Sequence, residues 1–126
     1  MSLPWNYNSS IPPVLPPRTA PANPIELAAI MRAVVQVCDV TANELKSARR
    51  DMPLTRWRQM AVALACRLTD KTTTEIGRRF GGRDHTTVLH AVRKMQPYIA
   101  AVAAELDADA SPMDWAKAMR RRLEGT

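Results

Sequence analysis

The sequence predicts an all-α fold, a helical bundle that contains a helix-turn-helix. Three observations carry that prediction. Apolar residues recur at three- and four-residue intervals through most of the chain after residue 24. No stretch alternates apolar and polar residues as a strand does. At Gly81-Gly82 one helical pattern stops, and another opens at Asp84. With 126 residues, the chain has room for one domain whose core suffices for independent folding.

Residues 1–24 hold seven of the ten prolines, a density that resists helix and central strand alike. They are expected to form an extended or disordered arm. A linker or tail is the plainer reading; a docking peptide anchored through Trp5 and Tyr7 is the other. Order is expected from Asn23-Pro24, a cap followed by a proline at the first helical position. Leu27, Ala28, Met31, Val34, Val35 and Cys38 then mark one face of a first helix. Thr41 with Glu44 forms a capping box that opens a short helix to about Lys46. The basic stretch from Lys46 to Pro53 reads as a loop, because Pro53 breaks the helical pattern.

A longer helix follows from about Leu54 to Leu68, with Trp57, Met60, Ala61, Leu64 and Leu68 on its buried stripe. Thr72 and Glu75 form a second capping box, and Ile76 and Phe80 mark the face of the helix it opens. Gly81-Gly82 supply the permissive backbone that a tight turn needs. The next helix runs from near Asp84 through Val88, Leu89, Val92, Met95 and Ile99 to about Leu106. Ser111-Pro112 with Asp114 starts a last helix that buries Trp115, Met119 and Leu123. The expected organisation is an arm at 1–24, a helix-turn-helix domain at 25–106, and a C-terminal helix at 107–126 packed on or extending that domain.

The formal net charge is +6, but residues 43–95 alone hold 12 Lys or Arg against 5 Asp or Glu. A concentrated basic region favours a polyanionic partner, although a solvated cationic face has the same composition. Cys38 and Cys66 are isolated among apolar neighbours and read as reduced core residues. His85 and His90 fall on different faces of their helix, so neither a metal site nor a cofactor is expected. No apolar run approaches a membrane span and no signal peptide is evident, which predicts a cytoplasmic, nucleoid-associated protein.

The two helices joined by the glycine turn have the layout in which a second helix enters the major groove, its first residues toward base edges. The side chains there suit that task. Asp84 can accept from a cytosine amino group, His85 can donate to a purine N7, and the Thr86 methyl can pack on a thymine methyl. Thr87 is placed for a phosphate. The same residues also admit a plainer account, in which Asp84 caps the helix and His85 is solvated.

Beyond this chemistry, the sequence resembles the C-terminal DNA-binding domain of the bacterial replication initiator DnaA, from about Ile25 to Met95 and more loosely beyond. Arg58-Gln59-Met60-Ala61, Glu75-Ile76-Gly77 and above all Gly81 to Ala91 carry the likeness. The resemblance implies a Trp-repressor-like bundle that recognises a short asymmetric duplex, the DnaA box. It further implies base readout by Asp84, His85 and Thr86, with Arg50 in the adjacent minor groove. By the same resemblance Arg58, Gln59, Thr87 and Lys94 hold phosphates. Asp51 and Met52 depart from the family's small or basic residues, Thr74 replaces a proline, and Cys66 replaces a common lysine. A DnaA-box-like target is therefore expected without identical preference.

No GxxxxGK[ST] segment and no catalytic cluster is present, so no enzyme activity and no nucleotide binding is expected. The chain reads as a free-standing, bacterial or phage DNA-binding domain with double-stranded DNA as partner, regulating replication initiation without an ATPase. The alternatives are a transcriptional regulator, or an adaptor that binds replication proteins through the Pro-rich arm or the C-terminal helix. Arg120-Arg121-Arg122 are either further phosphate contacts or a solvated helix end.

Overall fold

A computed structural model describes residues 25–107 and 109–125. These form six helices: α1 (Leu27–Cys38), α2 (Ala42–Lys46), α3 (Leu54–Leu68), α4 (Thr73–Arg79), α5 (His85–Glu105) and α6 (Pro112–Glu124). There is no strand among the described residues, so the all-α prediction holds. None of these helices is long and apolar enough to cross a membrane.

Most helix starts follow from the caps in the sequence. Thr41 and Glu44 satisfy each other's backbone N–H groups at 3.0 and 2.9 Å, and Ser111 and Asp114 do the same at 3.2 and 3.1 Å. Thr72 accepts from the Glu75 N–H at 3.1 Å, but the Glu75 carboxylate faces Lys71 and Arg79 instead of closing the box. The first helix differs from expectation. It begins at Leu27 after an extended Glu26 that offers no side-chain cap, while Asn23 and Pro24 lie outside the described residues. The Ile25 N–H donates to the Leu68 carbonyl at 2.9 Å, which ties this segment to the end of α3 before the helix starts.

Helix α3 is the axis of the bundle. It touches each of the other five helices, and Ala61, Val62, Ala63, Leu64 and Ala65 are buried in succession. A single apolar stripe was expected there; burial all round follows because neighbours cover every side of its middle, and the three alanines let them approach. Leu68, at its end, is only partly buried. Helix α5 packs on α3, α4 and α6, and α6 also packs on α1 and α3. It continues through Pro97, which removes the N–H that would bond the Arg93 carbonyl.

Helix α6 is docked by polar contacts as well as by Trp115, Met119 and Leu123, all buried. The Arg120 guanidinium sits 5.7 Å from the centre of the Trp57 ring and donates to the Val37 carbonyl. Arg56 reaches back to the Leu123 carbonyl at 3.4 Å. Cys38 is buried and its thiol is pushed up to about 12 by that burial, so it stays protonated and apolar in character.

This packing makes a stability prediction. Leu64→Ala, at a fully enclosed position of α3, is expected to cost about 2–5 kcal/mol in urea unfolding. Leu89→Ala, at a half-exposed position of α5, should cost clearly less. Equal losses would contradict the placement of the core axis in α3.

Candidate nucleic-acid interface

Helices α4 and α5 form the helix-turn-helix, and its turn is built on close backbone contact. Phe80 ends α4 with its ring wholly buried. Gly81 and Gly82 follow at φ 91° and 78°, in the left-handed region that glycine tolerates. The Arg83 N–H returns to the Gly77 carbonyl at 2.8 Å. A Cβ on Gly81 would overlap the carbonyl oxygen of Lys46, and a Cβ on Gly77 would overlap that of Arg83. The end of α2 is thus pressed directly against the turn, and glycine is required at both points of contact.

At the mouth of α5, the Asp84 Oδ1 accepts the Thr87 N–H at 3.0 Å and the Thr87 hydroxyl at 3.1 Å. The Thr87 backbone bond is the main reason its carboxyl lies below the usual range. Asp84 is therefore the N-cap, and it is exposed. Side chains of His85 and Thr86 are exposed beside it and make no hydrogen bond among the described residues. Thr87, expected on a phosphate, directs its hydroxyl proton to Asp84; it must turn away from that carboxylate to donate elsewhere.

The loop between α2 and α3 lies alongside. Arg49 is bound to Asp51 at 2.9 and 3.0 Å and to Glu44 at 3.2 Å, so its charge is matched within the protein. Arg50, next to it, is exposed and forms no ion pair among the described residues. Lys94 on α5 is likewise exposed and unpaired there. Gln59 is half-buried. Arg50, Arg58, Gln59 and Thr87 line one cleft of about 570 Å³ between the loop, α3 and α5. Asp84, His85, Thr86 and Lys94 are not on its walls.

Arg58, expected to hold a phosphate, lines the cleft but is largely buried. Only 6 % of it is exposed. Its Nε donates to the Leu45 carbonyl at 3.0 Å and its Nη2 to the Glu44 carbonyl at 3.2 Å and Ser47 Oγ at 3.4 Å. The two carbonyls belong to the last turn of α2, where a cation is favoured. Arg58 holds the loop from below.

Arg83 and His90 also line the cleft, and sequence reasoning missed both. Arg83 Nη2 donates to the Ser47 carbonyl at 2.6 Å, and Nη1 donates to the Phe80 carbonyl. Its place beside two glycines signals a turn, yet nothing local shows that Ser47, 36 residues away, lies across from it. Burial pulls the pKa of both Arg58 and Arg83 down, and the charge of Arg83 lowers that of Arg58 further. Neither forms an ion pair among the described residues. Two unmatched guanidiniums at the wall of a cleft leave a positive field there.

The arginines of α6 are elsewhere. Arg121 and Arg122 bind Glu105 at 3.4 and 2.7 Å, at the far end of the 21-residue α5. At 1.5 Å per residue that is about 30 Å from His85. They share that one carboxylate, far from the mouth of α5.

Among known proteins, the family described as bacterial dnaA protein helix-turn-helix matches residues 27–95, which takes in α1 to α4 and the first half of α5. The chain is similar to the chromosomal replication initiator protein DnaA of Rhodopseudomonas palustris strain BisA53, 42 % identical over 100 residues, which covers 79 % of this chain and 20 % of that protein. Similarity to the same-named protein of Rhodopseudomonas palustris strain BisB18 reaches 50 % over 76 residues, 60 % of this chain and 16 % of that one. For the Bartonella quintana protein the figures are 46 % over 82 residues, 65 % and 17 %. The chain spans about a fifth of the length of these relatives.

Two outcomes follow from the geometry of the turn. Gly81→Ala is expected to destabilise the domain by more than the roughly 1–2 kcal/mol of a left-handed backbone alone, because the added methyl also meets the Lys46 carbonyl; thermal unfolding measures it. The Asp84 cap should respond to acid. Its folded pKa is depressed, so its contribution is present above the unfolded value of about 3.9 and is lost as pH falls through the lower folded value. The protection factor of the Thr87 amide, the unstructured exchange rate at the same pH divided by the observed one, should fall in that window, and Asp84→Asn, which keeps a capping oxygen, should abolish the dependence.

Proposed function

Because the chain belongs to the bacterial DnaA helix-turn-helix family, we propose that it binds double-stranded DNA sequence-specifically, at DnaA-box-like sites. The matched region is a DNA-binding domain and not a catalytic one. In this reading α5 lies in the major groove with Asp84, His85 and Thr86 toward base edges, and Arg50 enters the adjacent minor groove. Gln59, Lys94 and, after its hydroxyl turns, Thr87 hold phosphates. Arg58 contributes mainly by supporting the loop and by its charge at the cleft wall. One observation carries the proposal: His85 and Thr86, their side chains exposed and without a hydrogen bond among the described residues, sit at a capped helix mouth beside a loop whose Arg50 forms no ion pair among those residues.

Occupying initiator sites through this domain would regulate replication initiation by competition or recruitment, with no nucleotide hydrolysed within these 126 residues. The proposed location is the nucleoid, in the cytoplasm. The domain at 25–106 suffices for reading, and α6 closes its core from behind. An asymmetric site needs a single copy, since one helix-turn-helix with one flanking loop reads it.

A selection from random duplexes at about physiological salt tests this, because affinity without a stated salt is uninterpretable. Enrichment of a short asymmetric motif is expected. His85→Ala and Thr86→Ala should each lose about 1–3 kcal/mol of discrimination between the enriched duplex and a scrambled one. Lys94→Ala should weaken both duplexes alike and reduce the salt slope by about 1. A selection that returns no motif would sink the proposal and leave the protein-adaptor reading.

A further inference from the structure

The loop that carries Arg50 has no regular secondary structure from Ser47 to Asp51, so its own backbone bonds do not decide where Arg50 stands. Arg49 braces it from within, through Asp51 and Glu44, and neighbours outside the loop do the rest. Gly81 admits the Lys46 carbonyl at the loop's start. Arg58 grips Ser47 Oγ and the end of α2 from the α3 side. From the helix-turn-helix side, the Arg83 guanidinium joins the Ser47 carbonyl to the carbonyl of Phe80, a residue wholly buried at the end of α4. One rigid, planar group therefore bridges the loop and the turn that aims α5.

Arg83 lies within a cationic surface, where charge alone would assign it to a phosphate. Its geometry says otherwise. Both Nη groups face inward to main-chain carbonyls, and it is half-buried. A guanidinium suits this role because its donors diverge at fixed angles; an ammonium is a single point and cannot hold both carbonyls in one geometry.

We infer that Arg83 is a positioning residue for DNA recognition: it clamps the α2–α3 loop to the helix-turn-helix, and so fixes Arg50 at a set separation from His85 and Thr86. The inference rests on the DNA-reading function proposed above. The physical gain is preorganisation. A loop already ordered in the free protein loses little conformational entropy when Arg50 binds, whereas a loose one loses that freedom on binding.

Two measurements test it. The first uses no DNA: backbone relaxation of residues 48–52 in the free protein. The wild type is expected to show order parameters near the rigid value of about 0.85, and Arg83→Ala and Arg83→Lys to fall below about 0.6, while residues 85–95 stay unchanged. The second is a double-mutant cycle on the duplex enriched from random sequence, at fixed salt. Arg50→Ala should weaken binding about tenfold in the wild-type background and less than about twofold in the Arg83→Lys or Arg83→Ala background. If Arg83→Ala does not fold, Arg83→Lys, which keeps the charge, decides alone. Wild-type behaviour of Arg83→Lys in both measurements overturns the inference, since charge would then be the whole of its role. The same tenfold loss in every background also overturns it. When the wild type prefers a duplex and the cycle is additive, this inference alone fails. When the wild type prefers no duplex, the proposed function fails first and takes the recognition role with it.

Discussion

The contact on which the rest of this structure depends is backbone against backbone. The carbonyl of Lys46, at the end of α2, occupies the space that a side chain at Gly81 would fill. Two segments distant in sequence are thereby brought together with nothing between them. From that approach follow the reach of Arg83 to Ser47, the grip of Arg58 on the end of α2, and the cleft that opens between loop, α3 and α5. A helix-turn-helix supplies a reading helix. Here it also supplies, through its turn, the anchor for a second element beside that helix.

Charge pairing marks the proposed interface better than charge density does. Seven ion pairs occur among the described residues: Arg49 and Arg120 are matched, while Lys71 and Arg79 share Glu75, and Arg121 and Arg122 share Glu105. Exposed pairs of this kind add little stability, but they reduce the positive charge available to a phosphate. Asp51 is instructive: it offsets the basic loop on paper, yet it neutralises Arg49 and leaves its neighbour Arg50 unmatched. The cleft cations without an ion pair among the described residues, Lys46, Arg50, Arg58 and Arg83, adjoin the mouth of α5 through the turn. Arg121 and Arg122 of α6 share Glu105 at the far end of α5.

The helices were largely legible from sequence because their signals are local. A threonine or serine before an acidic third residue, an apolar repeat, and a pair of glycines act through neighbours a few positions away. α2, α3, α5 and α6 begin and end within about a residue of where those signals place them. The exposure of Asp84, His85 and Thr86 was legible for the same reason, since the first turn of a capped helix faces outward. The burial of Arg58 was not legible. Its placement about one turn into α3, in an alternating basic and apolar run, gives no sign that the end of α2 covers it. Arg83 and His90 were missed on similar grounds. The start of α1 shifted because Ile25 finds its hydrogen-bond partner in Leu68, on a different helix.

By itself, then, the sequence determined the class of the fold, the order of its helices and the chemistry available at the mouth of α5. All of these depend on interactions that span one or two helical turns. Only the tertiary structure decided which arginines face outward. A guanidinium has the same charge whether it meets a phosphate, a carboxylate or a buried carbonyl, and that choice is made by whichever segment the fold brings against it.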